Sequence, residues 1–461
     1  MSERIIIGGR VIDPEKRCSF PADVRISGGK IAQIAAPGEM DIPENAEIID
    51  ARSCFVCPGF IDPHGHIDGH EYTAQLSLLQ GITMSVGGNC GFSPVDIEQF
   101  LTSQKPFPLH QIEMIGLCAL RTEAGATDNF LPATPQQIAV MASLCEKALK
   151  AGAAGVSLGP GYTPGSSLDE MLTLCCLAAK YKKPVSIDTR MNSITDLDSL
   201  QEAIDLAQAS GCTMVVSHFV YQYGVGVEEE ALNMIHRARA QGVDMQLDSG
   251  MYKDWCSSIV AALFEKEIME DNSIELHHLR VITGPHMGSL PDQQMYEHLR
   301  ENHPCDAFVV NTGLQEAVYT IQRDPLTMVS TDTGAYAPGE GHPQIAGSFP
   351  RYFREMVREG RGLTFEEAVR HVTLHPAQVF GLESKGRMRC GCDADLVVFD
   401  PETIADTADF PGLGHPNGAP VGIRCVLVEG EVAAIDGKTT GVMAGRALAM
   451  GSAARTKANE A

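Results

Sequence analysis

Eight short apolar runs alternate with helical stretches between residues 57 and 332, and this alternation constrains the fold more than any other feature of the chain. The runs are CPGFID, ITMSVGG, IEMIGLC, AGVSLGP, PVSIDTR, TMVVSH, DMQLDSG and LTMVSTD. Most are continuous rather than alternating in polarity, as strands covered on both faces are. Among the intervening helices TPQQIAVMASLCEKALKAG is the clearest. Thr134 can cap it, Pro135 suits the first helical position, Gln137 completes a capping box and Gly152 ends it. Ile138, Met141, Cys145 and Leu149 give it one apolar stripe. Eight strand–helix units predict an α/β fold, a TIM-like (β/α)8 barrel.

The two ends of the chain read differently. Residues 1–55 hold short strands broken by Gly-Gly turns, and a similar β signature returns in residues 381–450 with GCDADLVVFD and IRCVLVEGEVAAIDG. A small β-sandwich built from both ends is expected, flanking a barrel over residues 56–380. The stretch 255–325, with LRVITGPHMGS and AFVVNTG, is too long for one helical connection. It predicts an insertion before the last barrel strand, over the mouth. The tail MGSAARTKANEA is expected to fray.

With 35 Lys and Arg against 59 Asp and Glu, the formal charge is −24, which argues against nucleic acid or an anionic membrane as partner. No run approaches the roughly 20 apolar residues of a membrane span. The start MSERIIIGGRVID lacks the pattern of a secretory leader, so a cytoplasmic location is expected. The fourteen cysteines are scattered, and most should be reduced, buried small hydrophobes. CFVC and CGC have no partner pair at zinc-finger spacing and read as structural.

In a (β/α)8 barrel the chemistry sits at the carboxyl ends of the strands. The first run leads into His64 and His66, and residues two apart on an extended segment point the same way, so both imidazoles can reach one metal. Cys90 follows the second run on the Gly-rich turn GGNCG, Asp188 ends the fifth, His218 the sixth and Asp332 the eighth. Singly, each has an ordinary structural explanation as a scaffold histidine, core cysteine or helix cap. Metal-competent side chains at five of eight strand ends point jointly to a metal centre. His70 lies past the first strand end and reads as a loop residue. His286 and His342 fall on mouth loops, where they can touch substrate.

PGFIDPHGH, GITMSVGGNCGFS, SHF, STDTG…GHPQIAGSFPRYF and GCDADLVVFDPETIADTADF together resemble the amidohydrolase superfamily, and within it the N-acyl-D-amino-acid deacylases (D-aminoacylases). The resemblance covers nearly the whole chain. GNCG and the HP…SFPR segment narrow it; PGFIDPHGH marks only the superfamily. It implies one or two Zn2+ ions, or another divalent metal. One would take His64, His66 and Asp332, with Cys90 able to bridge, and the other Cys90, His218 and the residue ending strand five. The deacylases carry His-x-Arg there, whereas this chain has Asp188 in the histidine's place and retains Arg190. Dihydroorotases and hydantoinases bridge with a lysine ending strand four, where this chain reads AGVSLGPGY.

The constellation supports hydrolysis of a C–N amide bond in a small N-acyl or amide substrate by metal-hydroxide attack, with Asp332 as general base and then acid. Of the family's substrate-carboxylate groups, Tyr252 matches the tyrosine, FVYQYG offers no lysine, and Gln344 stands where an arginine would. Arg190, Lys253 or Arg351 could compensate, although Arg351 reads as packing against the barrel, and the substrate-binding residues expected are Arg190, Tyr252, His286 and His342. The alternatives are a cyclic amidase such as a dihydroorotase or hydantoinase, an unusual dipeptidase, and a non-catalytic homologue.

Overall fold

The computed structural model describes residues 3–103 and 105–451; the tail beyond residue 451, including most of the segment expected to fray, lies outside the described residues. Each of the eight apolar runs contains a strand, and these strands pair in parallel. Phe60–Asp62, Ile82–Gly87 and His110–Glu113 form one sheet. Ile115–Gly116, Val156–Leu158, Val185–Ile187, Met214–Val216, Met245–Ser249 and Thr327–Val329 form a second, in that spatial order. Val156, Leu158, Val185, Met214 and Leu247 are completely buried, which is why these segments carry no alternating polar face. The first and last strands meet at their carboxyl ends: the Asp332 amide donates to the His64 carbonyl (2.8 Å) and the His66 amide to the Thr333 carbonyl (2.9 Å).

Helices separate most of these strands. Pro135–Ala151 begins with the capping box read from the sequence, Thr134 with Gln137, and ends at Gly152 in the left-handed conformation (φ 114°). Met141, Cys145 and Leu149 are buried on its inner face and Ile138 packs at the edge of the same core.

Both chain ends enter one nine-stranded sheet. Its amino-terminal part, Arg4–Asp13 with Cys18–Ser27, Lys30–Ala35 and Glu47–Asp50, also includes Phe55–Pro58. That last strand pairs antiparallel with Leu396–Phe399, and Ile423–Val428 and Glu431–Ile435 follow. Ile6, Val24, Val56, Leu396 and Leu427 fill a core of their own beside it.

Between the seventh and eighth parallel strands, Trp255–Ser258, Ala307–Val310 and Leu279–Val281 form a separate antiparallel sheet. Trp255, Phe264 and Phe308 pack ring on ring there. None of the fourteen cysteines is paired, and nine are buried, Cys54 and Cys57 among them. Among the described residues no helix is long and apolar enough to cross a membrane.

Candidate metal centre

His64, Cys90, His218 and Asp332 offer donor atoms that all lie within 4.8 Å of one another. Cys90 Sγ is 3.3 Å from His64 Nε2, 3.6 Å from His218 Nε2 and 3.7 Å from His66 Nε2. Asp332 Oδ1 lies 3.5 Å from His64 Nε2 and 3.3 Å from His66 Nε2. Asp188 Oδ2 is 3.6 Å from His218 Nε2. All six side chains expected to bind metal are thus brought together from five strand ends.

Backbone conformation makes this possible. Cys90, His218 and Asp332 all have positive φ, 53°, 31° and 48°, where non-glycine residues are strained by of order 1–3 kcal/mol each. The strain is held by neighbours. Asn89, wholly buried, donates to the Val86 carbonyl (2.9 Å) and accepts from Ser186 Oγ (3.2 Å), fixing the GGNCG turn. A Cβ on Gly159 would sit 2.1 Å from the Cys90 carbonyl oxygen, so only glycine fits where strand four passes that turn.

A further set of residues, not singled out by the sequence, orients the ring nitrogens. Asp248 Oδ2 lies 3.3 Å from His64 Nδ1, while its Oδ1 accepts from the His218 amide (2.9 Å) and Ser330 Oγ (2.8 Å). Gln222, one helical turn beyond His218, places Oε1 3.1 Å from His218 Nδ1 and donates from Nε2 to Asp188 Oδ1 (2.9 Å). Both arrangements favour the proton on Nδ1 and leave Nε2 free as a ligand atom. Asp62 accepts from the amides of His64 (3.2 Å) and Thr331 (3.1 Å) and from the Thr331 hydroxyl; its full burial nonetheless raises it to about 7. Asp62 and Asp248 end or nearly end runs one and seven, so the strand-end rule applied to every run would have found them. Gln222 carries no comparable signal.

Electrostatics agree with a cation-binding role. Burial would raise Asp332, but the hydrogen bond with His66 and the nearby His218 and His64 bring it down to about 2, so it is ionised at neutral pH. Burial, with Asp188, Asp332 and Asp248 nearby, pushes the Cys90 thiol well above its usual range. Three carboxylates around one buried thiol leave it protonated unless positive charge is added, and ligation would release that proton.

The donor set fits zinc. Zinc takes thiolate, imidazole and carboxylate at about 2.0–2.3 Å, which around a tetrahedral ion sets donors roughly 3.3–3.8 Å apart. The Cys90, Asp332 and Asp188 contacts to the imidazoles, 3.3–3.7 Å, fall in that interval.

An amidohydrolase family model matches residues 174–434. An N-acyl-D-glutamate deacylase of Alcaligenes xylosoxydans xylosoxydans is 30% identical over 92% of each chain. The chain belongs to the amidohydrolase family. A D-aminoacylase of the same organism is 28% identical over 96% of this amidohydrolase and 97% of its own length. The crystal structure of N-acyl-D-glutamate deacylase from Bordetella bronchiseptica, complexed with zinc and a phosphonate mimic of the tetrahedral intermediate, superposes with a TM-score of 0.83. It is 27% identical and the match covers 97% of this chain and 99% of that one.

Two spaces border the cluster of this amidohydrolase and adjoin at His66, Tyr162, Ser257 and Ser258. One, of about 550 Å3, includes Asp332, Asp306, Tyr336 and Glu340 in its walls. The other, of about 410 Å3, reaches Cys90 and is lined by Phe92, Ala119, Val260 and Ala262. The four residues expected to hold substrate line neither. Arg190 is committed to Glu202 (2.9 Å) and to the carbonyls of Pro164 and Ser166 (both 2.6 Å), because a buried guanidinium must satisfy its donors. Tyr252 is buried under the Arg351 guanidinium, 4.4 Å from its ring centre. His342 is fully buried, accepts from the Gln344 amide and meets the Asp254 carbonyl at 3.1 Å; burial lowers it to about 3, so it is a neutral packing residue. His286 lies between the seventh and eighth parallel strands, with His298 and His303 close to it. Gln344 supports the centre instead: it donates to the Asp332 carbonyl and accepts from Tyr221 (2.8 Å). His70 is exposed at the start of helix Glu71–Leu79, as a loop residue would be.

Proposed function

We propose that this chain is a zinc-dependent deacylase that hydrolyses the C–N bond of small N-acyl compounds of the N-acyl-D-amino-acid type, releasing a carboxylate and an amine. The observation that carries the reading is the convergence of His64, His66, Cys90, Asp188, His218 and Asp332 at ligand-like separations beside two adjoining cavities. The deacylase relatives support it, being similar over nearly the full chain. The two parallel sheets are read as one eight-stranded barrel closed through the His64–Asp332 contact. Residues 56–380 then form the barrel, 255–325 its insertion, and 1–55 with 381–450 a β-sandwich.

His64, His66 and Asp332 would hold one zinc ion, with Cys90 shared, and His218 and Asp188 a second. Zinc there supplies Lewis acidity, lowering the pKa of a coordinated water toward ~7 and polarising a carbonyl. The chain's own groups do the rest. The Asp332 carboxylate, ionised at neutral pH and in the wall of the 550 Å3 cavity, accepts the proton from the attacking water and returns it to the leaving nitrogen. Asp248 and Gln222 keep Nε2 of His64 and His218 turned inward. The lobe lined by Phe92, Ala119 and Val260 takes the acyl group, since Phe92 and Val260 are half-exposed hydrophobics with no core of their own. The lobe lined by Glu340 and Asp306 takes the amine half.

The strand Val156–Leu158 has no lysine at its end, which disfavours the dihydroorotase and hydantoinase reading. The unpaired cysteines fit a reducing compartment, and a cytoplasmic location is part of the proposal. Metal content measured together with activity on N-acyl-D- and N-acyl-L-amino acids and their neutral derivatives tests it. Hydrolysis of D-configured members by the zinc-loaded protein is expected; inactivity on the whole panel with zinc bound overturns the reading.

A further inference from the structure

The insertion carries a second cluster of imidazoles, apart from the strand-end centre. His286 on the loop 283–289, His298 on helix Gln293–Asn302 and His303 just past that helix offer nitrogen atoms that all lie within 4.8 Å of one another. Their ring centroids are 5.4, 5.5 and 6.2 Å apart. Three imidazoles around one tetrahedral ion, each nitrogen about 2.0–2.1 Å from it, bring the centroids to roughly 5 Å. The rings are inclined at 89°, 57° and 85°, so no two are stacked face on face.

A carboxylate beside one ring would hold it in ligating orientation. Asp306 Oδ2 lies 3.6 Å from His303 Nδ1, and this buried oxygen has no hydrogen-bond partner. A carboxylate behind a histidine is the usual support for a metal-bound imidazole, and an unsatisfied buried oxygen is costly without such a role. The Asn302 Nδ2 group donates to the His298 carbonyl (3.0 Å) and lies 3.2 Å from His298 Nδ1, which holds that ring against its own helix. An Nδ1–H of His303 directed at Asp306 leaves Nε2 of that ring as the free nitrogen. The loop bearing His286 is pinned at both ends, by Val281 donating to Ser289 (2.9 Å), Gly288 to Val281 (2.8 Å) and the Gly284 amide to Glu340 Oε1 (3.0 Å).

We propose that His286, His298 and His303 form a binding site for a divalent transition ion of the zinc class, which fastens the loop 283–289 to the helix Gln293–Asn302. An all-imidazole set selects zinc, copper or nickel over magnesium or calcium. Gly284 and Asp306, which adjoin this cluster, also line the larger cavity, so the ion would stiffen one wall of the substrate space.

The test uses the full chain, loaded with zinc, freed of excess by gel filtration and analysed for metal. His298 is exposed on its helix, so His298→Gln leaves the fold intact. That variant, and separately His303→Asn, is expected to hold one zinc ion fewer per chain than the unmodified protein, while His277→Gln, an exposed histidine outside the cluster, loses none. Cobalt(II) distinguishes the two sites. The strand-end centre should show a thiolate charge-transfer band from Cys90, and the variants should keep that band while losing one equivalent of bound cobalt. Equal metal content in the unmodified protein and both variants overturns the proposal, as does loss of the charge-transfer band in step with the missing ion.

Discussion

Asp248 Oδ2 meets His64 Nδ1 at 3.3 Å, and both side chains are almost wholly shielded from solvent. The same carboxylate receives the His218 amide, so one side chain orients His64 after strand one and the backbone of His218 after strand six. Asp248→Asn, which keeps the shape but removes the charge, is expected to weaken zinc binding by about 10- to 100-fold with the fold retained. Zinc titration of the metal-freed protein by competition with a chelating dye checks this. An unchanged dissociation constant would show that Asp248 serves packing alone.

Asp188 stands where the resemblance implies a histidine. Its distance of 3.6 Å from His218 Nε2, with Gln222 bracing both, suits a ligand of a second ion. Asp188→Ala should lose one zinc ion per chain from the strand-end centre while His64, His66 and Asp332 retain theirs. A variant with full metal content and full activity would remove Asp188 from the ligand set.

Among the described residues lining the two cavities there is no Lys or Arg, whereas Glu340 and Asp306 are there. An α-carboxylate on the substrate would face like charge, which costs affinity. For matched pairs of N-acyl-D-amino acids and their amides, kcat/KM should favour the amides by about tenfold, equivalent to ~1.4 kcal/mol. Glu340→Lys should reverse that preference, and steady-state kinetics on the pairs decides the matter.

Lys385, in the loop after helix Leu374–Phe380, and Asp395, just before strand Leu396–Phe399, form a buried ion pair. Asp395 also receives the Glu429 amide at 2.8 Å. Burial would raise Asp395, but Lys385 and His110 bring it far below the usual carboxylate range. A carboxylate depressed in the folded state contributes stability that is present above its unfolded pKa of about 4 and is lost as pH falls below it. Lys385→Met leaves that carboxylate buried without its partner and should cost about 3–5 kcal/mol at pH 7. The deficit should shrink as pH falls toward 4 and Asp395 in the variant becomes protonated. Urea unfolding of both proteins at pH 7 and pH 4.5 measures the difference, and equal stability at pH 7 would refute it.

The strands were legible because each is a run of apolar residues long enough to show, and the helix Pro135–Ala151 because its capping box and Gly152 are local signals. That His64, His66, Cys90, His218 and Asp332 would lie near one another was legible because a strand-end position can be read along the chain. The substrate residues were not. Arg190 looked available beside Asp188, yet Glu202 and two carbonyls consume its donors. Tyr252 and His342 sit at the right places in the sequence, but burial has turned both into packing groups.

By itself the sequence determined the repeating strand–helix order, the β character of both ends and the identity of the metal-competent side chains, since these depend on residue type and on neighbours a few positions away. Only the tertiary structure decided which nitrogen of His64 and His218 faces inward, that Gln222 and Asp248 set this, and that His286, His298 and His303 meet in the insertion. Those outcomes depend on hydrogen bonds and contacts between segments up to 184 residues apart, for which no local pattern exists to be read.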